Sequence, residues 1–229
     1  MSPALTLTER PLERSDFAVV DPLLDDALGA GFVDPNALTT YAEGESTGRR
    51  FAVVAHHPHT QAVHGVVLVD MPTSLAAFAQ LMPGPQAADR VLALFPTVNP
   101  GLTGVGLVRS VAVDPEARRQ GVASSLIRRA MGDLWDAGVH RAVAVGWIHG
   151  GRCPVEKPLL DAGFVQVDVL EDLWLEDSLE RGYACPECGP MGCRCPAAIF
   201  TGASRPVRDV AWTARAHLRP WPTRRPTVA

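Results

Sequence analysis

The stretch Gly106 to Ala137, GLVRSVAVDPEARRQGVASSLIRRAMGDLWDA, constrains the chain most, because it reads as an apolar strand that runs through a turn into an amphipathic helix. Val108, Val111 and Val113, with Ala112, supply the β-branched run of a buried strand, and Asp114-Pro115 ends it by removing a ladder donor. Beyond Gly121 the apolar positions Val122, Leu126, Ala130 and Leu134 recur at helical spacing, with Arg128, Arg129 and Asp133 elsewhere around the helix. The turn between them holds Arg118, Arg119, Gln120 and Gly121, and a glycine lets backbone approach a ligand closely. Such a loop aims several N–H groups and the positive end of a helix dipole at one point, which suits a phosphate or pyrophosphate. The competing reading is an ordinary turn in which Gly121 lets the helix pack on the sheet. A P-loop is excluded because no Gly-Lys-Ser/Thr closes the motif, and a dinucleotide fingerprint by the glycine spacing.

Ala4 to Thr8 reads as a first strand, and Ser15-Asp16 as the cap of a helix whose apolar stripe is Phe17, Val20, Leu23, Leu24 and Leu28. Asp34 to Tyr41 predicts a second short helix. Arg50 to His56 and Ala62 to Asp70 are β-rich runs joined by a hairpin turn. Met71 to Thr103 is longer than a connection needs, and predicts an inserted helix pair, Leu75 to Met82 and Ala87 to Phe95, split by Pro83-Gly84-Pro85. After the central helix come a strand over Arg141 to Ile148, a helix over Pro154 to Ala162, a strand over Phe164 to Trp174 and a last strand over Ala197 to Thr201. This alternation predicts an α/β fold with a mixed sheet and helices on both faces.

Arg118-x-x-Gly121-x-Ala123 resembles the Q/R-x-x-G-x-G/A signature of the GNAT superfamily of N-acetyltransferases, and Ala162-Gly163-Phe164 follows at the matching place. The resemblance implies a GNAT-like, mostly antiparallel sheet, with the loop amides of Arg118, Arg119, Gln120, Gly121, Val122 and Ala123 holding the pyrophosphate of acetyl-coenzyme A. It also implies that the motif strand and the next one splay apart, with the pantetheine arm in the gap on the main chain of Val111, Ala112 and Val113. In such an arrangement the insert at about 71–103 either shapes the acceptor pocket or is a packing decoration. The domain would span 1–203, with a cysteine-rich flap at about 175–196 and a basic tail at 204–229.

Cys185-Pro-Glu-Cys188-Gly-Pro-Met-Gly-Cys193-Arg-Cys195 is the second strong pattern. CPxCG is the shape of a zinc knuckle, and the pair Cys193 and Cys195 would complete a structural Zn(Cys)4 site stapling the flap. Two disulfides and an iron-sulfur cluster are the competing readings. Four thiolates leave no open position for water, so a catalytic zinc is disfavoured. Cys153 stands apart and reads as a small core residue.

Direct acetyl transfer needs a deprotonated amine and an acid for the leaving thiolate. Many GNAT enzymes place a tyrosine about five residues before the Gly-Phe pair, and here that place is Leu159, while the only tyrosines are Tyr41 and Tyr183. A water, Tyr183, or binding without turnover remain open. Glu43, Glu45, His56, His57 and His59 are candidate bases, each also readable as a solvated loop residue, so the catalytic residues are not named by the sequence. The expected function is acetyl transfer from acetyl-CoA to an amine of a small molecule or protein. The alternative is a noncatalytic acyl-CoA-binding or interaction module whose zinc flap and basic tail contact a protein or nucleic acid.

The net charge of -4 over 229 residues gives no general affinity for polyanions, yet from Arg205 onward six arginines face only Asp209. With Trp212 and Trp221 this tail could lie on nucleic acid, a ribosomal surface or the domain itself, against a simple solvated or packed extension. The favoured expectation is no nucleic-acid binding. No signal-like or membrane-spanning apolar run is present, which predicts a cytoplasmic protein, monomeric or homodimeric, with no membrane partner.

Overall fold

The computed structural model describes residues 6–43, 50–93 and 104–203. Their order is β1 (Thr8–Pro11), α1 (Phe17–Leu28), α2 (Pro35–Glu43), β2 (Arg50–His56), β3 (Val63–Asp70), α3 (Leu75–Leu81), α4 (Pro85–Ala93) and β4 (Val105–Val113). Then come α5 (Val122–Asp136), β5 (Arg141–Trp147), α6 (Glu156–Asp161), β6 (Phe164–Leu170), α7 (Leu175–Arg181) and β7 (Ala197–Ala203). One seven-stranded sheet has the order β1-β2-β3-β4-β5-β7-β6. Only β4 and β5 pair parallel; the other neighbours are antiparallel. The fold is therefore the mixed, mostly antiparallel α/β arrangement expected of a GNAT-like chain.

The alternation of each strand divides the core in two. On one face Val54, Val66, Leu68, Leu107, Val143 and Ile199 pack with Leu24 of α1, Leu38 of α2, Val91 of α4 and the flap. On the other, Val67, Val69, Val108, Ala144 and Phe200 meet α5 and α6. The α5 stripe delivers Leu126, Ile127, Ala130 and Leu134 at 0% exposure, and full burial of a leucine or isoleucine contributes roughly 1.5 to 3 kcal/mol. Gly106 makes that docking close, because a Cβ there would stand 2.7 Å from Leu134 Cδ2.

Four expectations change. The first strand lies at Thr8–Pro11 rather than over Ala4 to Thr8, set by pairing of Arg10 with Val54; Ala4 and Leu5 fall outside the described residues. Asp16 does not cap α1 through its side chain. Its buried carboxylate instead takes two hydrogen bonds from Arg10, at 2.7 and 2.8 Å, which hold it below the usual carboxylate range against the opposing effect of burial. The strand expected over Phe164 to Trp174 stops at Leu170, where Asp172 turns the chain with φ +53°, and α7 follows. The second insert helix spans Pro85–Ala93, and Phe95 lies outside the described residues, as do Glu45 and the basic tail. No helix among the described residues is long and apolar enough to cross a membrane.

Candidate functional site

The sheet opens at its centre. β4 and β5 pair only from Val105–Arg141 to Val108–Ala144, although β4 runs on to Val113 and β5 to Trp147. On its other side β4 takes one extra residue, Arg109, between Val108, which faces Val69, and Ser110, which faces Leu68. Such a bulge bends a strand and increases its twist. From Arg109 to Val113, β4 thus has no partner on the side toward β5, and a cavity of about 550 Å³ occupies the gap.

The loop and helix start close one end of this cavity. Arg119 and Gly121 both take left-handed backbone, at φ +63° and +83°. Gly121 precedes α5 with no side-chain cap, so the N–H groups of its first turn have no intrahelical partner. Arg118 is strapped in place by donating to Val113 O at 2.9 Å and to Asp26 Oδ2 of α1 at 3.0 Å. Of the residues expected to hold a coenzyme, Val111, Ala112, Val113, Arg118, Arg119, Gly121, Val122 and Ala123 line the cavity. Gln120 does not; its side-chain amide donates to Glu116 O instead, at 3.0 Å. The pattern fits an anion, which uncapped helix N–H groups attract.

The opposite wall is aromatic. Trp147 stacks on Trp174 with centroids 4.9 Å apart and planes at 26°, and Phe32 tilts against Trp147 at 5.3 Å. His149, two residues beyond the end of β5, lies half-buried with its ring 5.1 Å from Trp147, and burial lowers its pKa, so the imidazole is neutral at neutral pH. It lines the cavity, whereas His56, His57, His59 and Glu43 do not. His56 Nε2 bonds Thr8 Oγ1, His57 Nδ1 accepts backbone N–H groups of its own turn, and Glu43 pairs with Arg14. The sequence reading missed His149 because a loop residue carries no periodicity; its place just beyond a strand that leaves the sheet is the signal that would have found it.

Leu159 is buried in the cavity wall. Tyr183 packs edge-on behind Phe32 and does not line the cavity, and burial pushes its phenol pKa up, so it is not placed as an acid. Arg109 donates to Leu81 O of the insert at 3.4 Å, and none of the insert's described residues lines the cavity.

Behind the aromatic wall lies the cysteine cluster. The sulfurs of Cys185, Cys188, Cys193 and Cys195 all lie within 4.8 Å of one another. Cys195 Sγ is 3.8 Å from Cys185 Sγ and 3.5 Å from Cys188 Sγ, and four thiolates at about 2.3 Å from one zinc would be about 3.8 Å apart. These separations are well beyond the roughly 2.05 Å of a disulfide, so the four sulfurs are not paired in bonds, and a group this compact suits a single ion. The backbone N–H groups of Glu187 and Cys188 donate to Cys185 Sγ, both at 3.4 Å, and Cys185 and Gly189 pair across the knuckle. Burial pushes the Cys193 thiol up to about 12 without a cation, while the Arg194 N–H holds the exposed Cys188 thiol lower. Cys153 stays apart under Gly146, its thiol pushed up to about 11 by burial, in keeping with a packing role.

Residues 36–147 match the family model described as the Acetyltransferase (GNAT) family. No curated protein matches the chain. Solved structures share the fold at low identity. A GNAT superfamily phosphinothricin acetyltransferase from Sinorhizobium meliloti, solved with acetyl-CoA, is 15% identical with a TM-score of 0.54, over 86% of this chain and 88% of that one. An N-acetyltransferase from Staphylococcus aureus Mu50 is 13% identical with a TM-score of 0.56, over 87% and 99%. The ribosomal-protein-S18-alanine N-acetyltransferase from Escherichia coli is 12% identical with a TM-score of 0.53, over 86% and 94%. The parted β4 and β5 and the uncapped start of α5 after Arg118-x-x-Gly121 agree with the family match: residues 36–147 carry a domain of the GNAT acetyltransferase family.

Proposed function

We propose that the chain moves an acetyl group from acetyl-CoA to a primary amine by direct transfer, and that its four clustered cysteines hold a structural zinc ion. The observation that carries the first part is the cavity between β4 and β5 with the uncapped α5 N-terminus at one end. The N–H groups of Gly121, Val122 and Ala123 would take the pyrophosphate, and the unpaired edge of β4 at Val111–Val113 would take the pantetheine arm. Acetyl-CoA, when bound, supplies the activated thioester.

The protein's own part is to orient the amine and move its proton. Neutral His149 accepts the proton that the amine nitrogen loses as it attacks, at an imidazole nitrogen, and returns it to the departing sulfur through solvent. Leu159 and the aromatic wall exclude other water. The compact sulfur geometry supports zinc, whose positive charge would keep thiols such as Cys193 ionised. The acceptor in this reading is a small molecule that packs against Phe32, Trp147 and Trp174, the rings lining the cavity.

Native mass spectrometry of the full chain, alone, with acetyl-CoA and then with a pool of amines, tests all of this. One zinc, one coenzyme and loss of the acetyl group on adding amines are expected. Coenzyme bound with no transfer to any amine would favour the noncatalytic acyl-CoA-binding module, to which the missing tyrosine at Leu159 points. No coenzyme binding would end the reading of the Arg118 to Ala123 loop.

A further inference from the structure

The acceptor end of the cavity carries a cation with spare donors. Asp70 of β3 is 1% exposed and its carboxylate is already well supplied: Arg50 Nε lies 2.8 Å from Oδ1, and the Tyr41 hydroxyl lies 3.1 Å from both oxygens. Arg109, raised from β4 by the bulge, reaches the same carboxylate only at 3.8 Å and otherwise meets Leu81 O at 3.4 Å. Arg109 lines the cavity and its side chain keeps 27% exposure, and a planar fork with donors to spare is suited to a second carboxylate.

Ser110, Trp147 and Trp174 also line the cavity, with Ser110 Oγ and the two indole Nε1 atoms themselves buried and without a partner among the described residues. Ser110, Trp147 and Trp174 are 4%, 5% and 5% exposed. Around them Phe32, Trp147 and Trp174 form an apolar surface of three rings. The cavity thus combines a carboxylate-matched cation and an aromatic wall, with His149 beside Trp147.

We infer that the acceptor is an amino-acid-like amine: a small molecule whose carboxylate is held by Arg109 and whose bulky apolar or aromatic side chain packs against Phe32, Trp147 and Trp174. This rests on the transfer reading for the identity of the cavity, but it concerns binding and is tested apart from turnover.

The probes are N-acetyl-L-phenylalanine and its primary amide, which differ by the carboxylate charge. Binding to the full chain is followed by tryptophan fluorescence, and turnover of phenylalanine, phenylalaninamide and spermidine by release of coenzyme thiol. The acid is expected to bind at least tenfold tighter than the amide. Arg109→Gln is expected to erase that difference, and Arg109→Lys to restore part of it. Equal affinity for acid and amide in the wild-type chain, binding of neither, or spermidine as the preferred acceptor would overturn the inference. If the acid binds through Arg109 but no amine is acetylated, the acceptor site stands and it is the transfer reading that fails.

Discussion

Substituting Gly121 separates what the loop does for folding from what it does for a ligand. The residue sits at φ +83° before α5, and a Cβ built on it meets no atom within 4 Å. Gly121→Ala therefore costs only the left-handed strain, about 1 to 2 kcal/mol. For a chain of this size about 1 kcal/mol corresponds to a fall of about 2 to 4 °C in melting temperature. Gly121 lines the cavity, and where its N–H group meets a pyrophosphate as proposed, a methyl there would obstruct the ligand rather than the protein. A tenfold loss of coenzyme affinity is about 1.4 kcal/mol. With acetyl-CoA at a hundred times its dissociation constant for the wild type, binding stabilises by about 2.7 kcal/mol, and a variant tenfold weaker would keep about half of that. Thermal melts with and without acetyl-CoA, joined to calorimetric titration, measure both quantities. Gly121→Asn is the companion, because asparagine tolerates left-handed backbone and should recover much of the folding cost while still obstructing the site. If both variants bind acetyl-CoA as the wild type does, the loop is only a turn and the placement of the pyrophosphate is wrong.

Since burial lowers the His149 pKa below its ordinary 6.5, kcat/KM should rise through a pH below 6.5 and then level off, and His149→Gln should remove that limb and lower kcat by about 10²- to 10⁴-fold. The same shift means that the unfolded chain binds the proton more readily, so this residue's effect on stability is an added loss as pH falls through and below 6.5, visible in denaturant titrations of wild type against His149→Gln. Cys193→Ser should reduce zinc from one ion per chain to a small fraction and cost about 3 kcal/mol or more, whereas Cys153→Ser should leave metal content unchanged by elemental analysis. Gly29→Ala would push a methyl to 2.0 Å from Ala184 O at φ +100°, and urea unfolding should show a loss of about 3 to 5 kcal/mol.

The legibility of these features in the sequence followed the range of the interactions behind them. The strand, turn and helix around Gly121 is specified by neighbours in sequence, through the valine run, Asp114-Pro115 and the leucine spacing, and it folds as read. The cysteine spacing likewise brings four sulfurs together as a local matter. Leu173 and Trp174 misled because their apolar character looks like a continued strand, although it serves burial against Phe32 across a turn. Asp16 has the chemistry of a helix cap, but Arg10, brought near by the β1 pairing, binds it more strongly. The neutral His149, the Arg109 bulge and the insertion of β7 between β5 and β6 depend on contacts between distant segments, which no local pattern encodes.

That last placement has a bearing on how the protein is made. β7 bonds on both sides, with β5 and with β6, so the strand in the middle of this half of the sheet leaves the ribosome after every other described strand. Until it arrives, β5 shows an unpaired edge from Arg141 to Trp147 and β6 has no neighbour, an aggregation-prone nascent state. The sulfurs from Cys185 to Cys195 emerge just ahead of β7, and an ion captured there would fold the returning segment back toward Trp147 and shorten the search for the open slot. Metal supply during synthesis would then govern the yield of folded chain, apart from any contribution to the finished molecule.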